Sequence, residues 1–554
     1  MPQTPASHGF RGTFRDDLDA RAVYSEAAGI ARTMPRAVAV PADADDVVAL
    51  VRWAAETGTP LVPRGSGSSM AGGAVGDGVI ADLSRLDAIG PVDVQRRTIR
   101  CGAGAVRDAI DAAARAAGLR FPVDPSSGAF CSIGGMVSTN AAGAHTLRYG
   151  STRRWVDALD CVFADGSRAE LRREAPPPRV PIVERALREL GPVVTEERTS
   201  PSRHPGVRKE SSGYGLAAFA ESGELVDLLV GSEGTLALVA GVELRLAPLH
   251  PCTASLLGAF TTLEGAVAGA DAARRAGAVA CEALDRTFLA VALSGGASAP
   301  IPPDAESVLL AEVEANTTEE ATAQAQRIAA EFEAAGASQV TLALDPATER
   351  ALWEIRHAAS PILNHLDPAL KSMQLVEDGC VPPERLPEYV RGVRAALERH
   401  GIRGVIFGHA GDAHVHVNPL IDVTAPDWRA RAEGLLADVT ALVGRLGGTV
   451  TGEHGDGRLR APLLPRVWSE RALAHFAAVK RAFDPRGILN PGAKVPRAGA
   501  QPFDDVKYDP ALPPLPDSAR LALERVERER AYASSRLALL GEERARLDAR
   551  AGGV

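Results

Sequence analysis

The stretch Leu61-Val62-Pro63-Arg64-Gly65-Ser66-Gly67-Ser68-Ser69-Met70-Ala71-Gly72-Gly73 decides how the first half of the chain is read. A short apolar strand, Leu61-Val62, leads into it, and a second strand around Val79 to Leu83 follows. Successive glycines after a strand expose amide hydrogens that can converge on one anion, and Ser66, Ser68 and Ser69 add hydroxyl donors. An isolated Gly/Ser cluster is more often a surface turn. The position between two strands argues instead for a pyrophosphate cradle. The loop does not spell G-x-G-x-x-G, because Met70 stands at the third glycine position, which disfavours a Rossmann nicotinamide site.

Before the loop, Asp43 to Glu56 places Val47, Leu50, Val51 and Ala54 on one helical face, with Asp43 as N-cap and Gly58 beyond the end. After it, small residues dominate from Phe121 to Tyr149, which suits backbone lying against a bulky planar ligand better than a packed helix. Strands with a turn at Asp165-Gly166 follow, and Pro248 and Pro251 mark a boundary. Strand and helix then alternate: strands at Ser255 to Phe260, Ser307 to Val313, Lys371 to Val376 and Gly404 to Phe407, with helices near 263–276, 318–335 and 387–400. This predicts an α+β fold whose second sheet carries helices on one face. The organisation is a lead-in (1–34), a first domain (35–248), a second domain (249–497) and a Pro-rich linker with a charged helical tail (498–554). The run Ser518 to Arg550 has only a thin apolar stripe, so it reads as a helix facing a partner or packed on its own protein.

Composition narrows the function. The 554 residues are 45% hydrophobic and 24% charged, ordinary values for two or three globular domains. With 61 basic and 70 acidic residues the net charge is −9, which gives no reason to expect nucleic acid. Small anionic substrates need local basic residues. The six cysteines, Cys101, Cys131, Cys161, Cys252, Cys281 and Cys380, never form C-x-x-C, so neither an iron–sulfur cluster nor a thiolate metal cage is readable. Reduced thiols and a start without an apolar leader point to a soluble, unprocessed cytoplasmic protein, with peripheral membrane association left open.

Two segments carry chemistry: Gly408-His409-Ala410-Gly411-Asp412-Ala413-His414-Val415-His416-Val417-Asn418-Pro419 and Gly452-Glu453-His454-Gly455-Asp456-Gly457. Gly411-Asp412 reads as a turn, and alternation from 414 to 418 puts His414, His416 and Asn418 on one strand face. Two histidines and Glu453 form a borderline-hard donor set suited to Zn²⁺, with positions open for substrate. Any one of these residues alone reads as a structural histidine or a solvated carboxylate.

Six ordered landmarks make a resemblance specific: 63–68, Ile133-Gly134-Gly135-Met136-Val137, Asn140-Ala141-Ala142-Gly143, Arg148-Tyr149-Gly150, Gly231-Ser232-Glu233-Gly234-Thr235 and Ile488-Leu489-Asn490-Pro491-Gly492. Over about residues 35 to 497 the chain resembles the vanillyl-alcohol-oxidase/PCMH flavoproteins, in particular their D-lactate and D-2-hydroxyglutarate dehydrogenase branch. The resemblance implies a PCMH-type FAD-binding domain followed by a cap domain with an antiparallel sheet. It implies non-covalent FAD, held at the pyrophosphate by Arg64, Gly65, Ser66, Gly67, Ser68 and Ser69, with Pro63 and Gly72 as further cofactor-binding residues. It lines the isoalloxazine with Gly135, Thr139, Asn140, Gly143 and Tyr149, makes Asn490 a late flavin contact, and counts Pro125, Glu233 and Gly234 among the cofactor-binding residues.

The same resemblance implies a divalent metal, Zn²⁺ or similar, on His409, His416 and Glu453, with His454 as catalytic base. The branch usually has Gly then Asn where this chain has Ala413 and His414, so His414 competes with His416 as a ligand. Arg356 and Lys371 match the substrate carboxylate's partners, Ser360 stands where the hydroxyglutarate enzymes have Thr, and Asn418 orients substrate. The expected reaction is hydride transfer from a D-2-hydroxyacid to flavin, with electrons passed to a quinone, a cytochrome or an iron–sulfur protein. The tail is a candidate contact for that acceptor or for a second copy of the chain. The rivals are an oxygen-using oxidase, a synthase on the same scaffold, and a non-catalytic flavin subunit.

Overall fold

The computed structural model describes residues 4–294, 301–363, 369–504 and 506–551, with side chains at all of these except 293, 294, 346, 357–363 and 548–551. The first domain is built on two sheets. In one, Thr13–Arg15, Ala37–Val40, Val79–Asp82 and Leu61–Arg64 lie in that order, the last three parallel. The helix Ala44–Thr57 covers it: Asp43 accepts the Asp46 amide at 3.0 Å, and Gly58, with φ of +67°, closes the end, as the sequence predicts. In the other, Ile89–Asp93, Thr98–Gly102, Ala237–Arg245, Val156–Phe163 and Arg168–Arg172 form an antiparallel sheet. The small-residue stretch is not all extended against a ligand. It contains the helix Ile133–Thr139, whose Gly134 sits so close to Ala103 that a Cβ would stand 2.8 Å from the alanine's own.

The second domain is an eight-stranded sheet running Ala337–Ala343, Cys252–Phe260, Ser307–Ala315, Ala280–Asp285, Arg403–His409, His414–Asp422 and Leu370–Ser372, with Gly379–Cys380 also on His414–Asp422. Every pairing is antiparallel. Helices cover both faces, not one. Leu256 and Phe260 pack under the helices Leu263–Arg275 and Thr318–Ala334, while Leu257 and Ala259 pack with Phe288 and Leu352 of Arg286–Ser294 and Pro346–Leu363. Both alternating sets are apolar here, so the strand gives no polar face to signal a one-sided sheet. The strand expected to reach Val376 stops at Ser372.

Two further differences concern boundaries. The segment after Arg460 returns to the first domain: Leu464, Trp468, Phe476, Val479 and Phe483 belong to its core. Ile488 and Asn490 bracket Leu61 with backbone hydrogen bonds of 2.8 Å each, so the first domain is closed by sequence more than 400 residues downstream. The tail is two helices, Asp517–Glu529 and Arg536–Ala551, broken at Arg530, whose φ is +52°. They pack on the parallel sheet, burying Ala519, Ala522, Val526, Leu539 and Leu540 against Val38, Val40, Val62 and Ile80. Among the described residues no helix is long and apolar enough to cross a membrane.

Candidate active site

The strands Arg403–His409 and His414–Asp422 form a hairpin in which His409 pairs with His414 and Phe407 with His416. Ala413 takes a left-handed conformation (φ +53°) to close the turn. Opposed residues share a face, so the hairpin presents His409, His414 and His416 together. Asn418, half-buried, is two residues further along the same face.

Glu453 comes from the loop 452–457, which two buried carboxylates fix. Asp378 accepts the amides of Glu453 and His454, at 3.2 and 2.9 Å, and the guanidinium of Arg460 at 2.9 Å. Glu233 accepts the amides of Asp456 and Gly457 at 2.7 and 2.9 Å. The loop thereby brings Glu453 Oε1 to 3.4 Å from His409 Nε2 and 3.5 Å from His416 Nε2, which are themselves 3.5 Å apart. Donors about 2.0–2.1 Å from a tetrahedral Zn²⁺ stand about 3.3 Å from one another, so this tripod fits such an ion without rearrangement.

His414 is part of the same cluster, but its Nε2 bonds Asp378 at 2.8 Å and its Nδ1 lies 3.4 Å from Lys209 Nζ. His416 instead gives Nδ1 to the Glu377 carbonyl at 2.7 Å and keeps Nε2 on the tripod. Burial pushes the His416 imidazole down to about 3, so it is neutral, as a ligand must be. At His409 burial also disfavours charge, but Glu282, 2.5 Å from Nδ1, outweighs it and lifts the imidazole to about 9. The pocket therefore favours one positive charge at His409, from a proton or from a cation. Burial works against the Glu453 charge, yet Lys209, with Nζ 2.5 Å from Oε2, and His409 hold its carboxyl well below the usual range.

His454 is the half-buried member, its side chain 30% exposed. Its Nδ1 bonds Glu377 Oε2 at 2.7 Å, which keeps the proton there and leaves the Nε2 lone pair, 3.7 Å from Glu453 Oε1, beside the tripod. Arg460 holds the other Glu377 oxygen. Arg356 stacks its guanidinium 4.6 Å over Phe407 and gives Nε to Glu282 at 2.9 Å, so one carboxylate links the arginine to His409. Lys371 stands further off at the sheet edge, its ammonium 5.7 Å from the centre of the Tyr508 ring. The Ser360 side chain lies outside the described residues.

The glycine loop borders the same region. Among the described residues, no amide of 65–70 donates to a protein acceptor, whereas the carbonyls of Gly67 and Ser69 accept from Ala28 and Gly29. Carbonyls outward and amides inward make a nest for anionic oxygens, and Gly67, with φ of +73°, permits the turn. This is the donor arrangement that a pyrophosphate requires. Pro63 supports Gly234, where a Cβ would meet its ring at 2.3 Å, and a Cβ on Gly143 would stand 2.4 Å from the Asp124 backbone. Ser66 and Ser68 share a hydroxyl contact of 3.1 Å, and Gly72 (φ +76°) turns the chain out of the loop. Pro125 accepts the Gly128 amide, and Thr139 donates to the Gly135 carbonyl. Some expected cofactor residues turn their polar groups to protein instead. Glu233 holds the loop 452–457 as described, Asn490 donates to the carbonyls of Glu233 and Gly73, Asn140 Oδ1 accepts the Arg153 amide, and the Tyr149 hydroxyl bonds Glu314. One cleft is lined by Asn140 and Gly231 from the flavin side and by Lys209, Asp412 and Gly452 from the histidine side.

Glu282, Glu377, Asp378, Lys209 and Arg460 escaped the sequence reading. Each lies on a segment with no motif of its own, and only the fold brings it to the histidines.

The arrangement defines a class: a two-domain flavoprotein fold with a buried His/His/Glu donor set, and His454 beside it, at the domain junction. Family comparison agrees. The model described as "FAD binding domain" matches residues 35–172, and "FAD linked oxidases, C-terminal domain" matches 250–493. The glycolate oxidase subunit GlcD of Bacillus subtilis is 30% identical, covering 86% of this chain and 93% of that one. The D-lactate dehydrogenase of Archaeoglobus fulgidus is 30% identical, covering 83% and 91%. The D-2-hydroxyglutarate dehydrogenase of Pseudomonas putida is also 30% identical over 87% of this chain, which spans 50% of that longer protein. The chain therefore belongs to the FAD-linked oxidases of the PCMH/VAO type. Solved structures share the fold: a 4-ethylphenol oxidase from Gulosibacter chungangensis (TM-score 0.64, 14% identity, covering 88% of this chain and 94% of that one) and an alkyldihydroxyacetonephosphate synthase (0.61, 14%, 86% and 83%).

Proposed function

We propose that the protein is an FAD-dependent dehydrogenase oxidising a D-2-hydroxyacid to the 2-oxoacid, with electrons passed to an acceptor other than NAD. The tripod of His409, His416 and Glu453 with His454 at its side carries this reading. FAD, when bound, supplies the acceptor for the two electrons that leave C2 as hydride. A divalent ion such as Zn²⁺, held by His409, His416 and Glu453, would polarise the 2-hydroxyl. His454 takes the hydroxyl proton on Nε2, and Glu377 stabilises the resulting imidazolium through Nδ1. Arg356 offers a guanidinium to the C1 carboxylate, held in place by Phe407 and Glu282, and Asn418, on the same hairpin face as the histidines, orients the substrate.

A metal-free variant of this chemistry rests on Lys209, whose ammonium already neutralises Glu453. One experiment separates the two. Anaerobic addition of D- and L-2-hydroxyacids to the yellow protein should bleach the flavin with D-acids only, and prior chelation should abolish the bleaching. Bleaching that survives chelation favours the Lys209 arrangement. Bleaching by L-acids alone, or by none, defeats the proposed reaction.

A further inference from the structure

The C-terminal extension lies beyond the matched family models, which end at residue 493, yet it is folded against the pyrophosphate loop. Arg536 begins its last helix and is 3% exposed. It donates from Nη2 to the Ser66 carbonyl and from Nη1 to the Ala531 carbonyl, both at 3.1 Å. Arg64, 2% exposed, donates from Nη1 to the carbonyls of Tyr24 and Ala74 at 3.3 Å. Among the described residues neither guanidinium forms an ion pair; the buried Asp82 carboxylate offsets part of the charge of both, and Arg536 Nε and Arg64 Nη2 have no hydrogen-bond partner. Burial lowers the pKa of both groups, and Arg64 adds to the effect on Arg536, which falls to about 10. Two like charges buried near each other are unfavourable unless negative charge sits close by.

We infer that the extension completes the dinucleotide site: Arg536, with Arg64, forms a cationic pair behind the loop 64–69 that holds its amides forward and offsets the charge of the FAD pyrophosphate. The inference rests on the FAD reading. Arg536 is a positioning residue, acting through the Ser66 carbonyl and through its charge. A second strap joins the neighbouring loop, where the tilted rings of Tyr532 and Phe130 meet with centroids 5.1 Å apart. That loop continues into Ser132, whose Oγ would lie 2.0 Å from a Cβ on Gly65. The extension thus ties down both loops that flank the cradle. Because docking of the tail and binding of the anion favour each other, each must strengthen the other by the same factor.

The test follows FAD release from full-length holoprotein by the rise of free flavin fluorescence on dilution. Arg536→Gln should release FAD about tenfold faster or more, whereas Arg536→Lys, which keeps a charged donor, should stay within about threefold of wild type. In wild type, hydrogen exchange across 517–547 should be slower with FAD than without, a measurement that needs no variant to fold. Unchanged release from Arg536→Gln, equal loss from Gln and Lys, or exchange indifferent to FAD would each overturn the inference. A yellow wild type with unchanged Arg536→Gln release removes this inference alone. A wild type that takes up no FAD removes the cofactor reading as well.

Discussion

Glu282 joins His409 to Arg356: one carboxylate oxygen lies 2.5 Å from the imidazole Nδ1 and the other 2.9 Å from the guanidinium Nε. At 1% exposure, and held at about 2 by His409 and Arg356 despite burial, it stays ionised at any working pH. It fixes the tautomer that turns Nε2 to the tripod and orients the arginine proposed for the substrate carboxylate. Glu282→Gln keeps the shape and removes the charge. Zinc affinity, read by competition with a chromogenic chelator, should fall roughly 10- to 100-fold. The substrate KM should rise too, because Arg356 loses its anchor. A variant with unaltered zinc affinity would show that Glu282 serves only packing.

His454 and Glu377 should fail in different ways. His454→Ala removes the base, so anaerobic flavin reduction should slow by about 10²- to 10⁴-fold while the yellow cofactor stays bound. Glu377→Gln leaves the imidazole but withdraws the partner of its charged form, and also unbalances Arg460, which it pairs. That variant should lose less rate than His454→Ala and also lose thermal stability. Stopped-flow reduction and thermal melts together decide it. Equal reduction rates in wild type and His454→Ala would place the base elsewhere.

The sequence told most where chemistry is written in contiguous residues. The helix at Asp43, the glycine loop and the hairpin 408–419 were legible because capping, backbone freedom and period-two alternation are local. The two-sided cover of the second sheet was not, since Leu256 and Leu257 are equally apolar and only packing shows that they enter different cores. Nor was the return of 461–495 to the first domain, because nothing in Trp468 or Phe476 names the core it fills. In the site the histidines announced themselves, while Asp378 and Lys209 did not. A charged residue outside any motif carries no signal of what it will face.

Gly457 is where the loop 452–457 meets the glycine loop. A Cβ there would stand 1.9 Å from the Ala71 carbonyl, at a φ of +52°, and its amide is the one Glu233 holds at 2.9 Å. Gly457→Ala must push the two loops apart, at a cost of about 2 kcal/mol or more. The holoprotein should melt lower and release FAD sooner. Gly447→Ala is the control: its φ is also positive, at +69°, but no atom lies within 4 Å of an added Cβ. It carries the backbone strain without the clash and should retain FAD normally. Equal damage from both substitutions would mean that the loop contact does not matter.

Acid should weaken the first domain through Glu243. Burial opposes its charge, but Arg172 and Arg100, 2.6 and 2.7 Å away, overcome this and hold the carboxyl at about 2, against 4.5 for a free side chain. A depressed folded value means stability that is complete above about 4.5 and lost as pH falls towards 2. Arg100 and Arg172 are partly in water, so the contribution is about 1 kcal/mol, well short of the full shift. Glu243→Gln should therefore unfold at lower urea than wild type at pH 7, and the gap should close as pH approaches 2. Comparing the two proteins at each pH cancels losses they share, such as protonation of the histidine site. A gap that stays constant with pH would assign the effect of the substitution to packing, with the ion pairs contributing nothing.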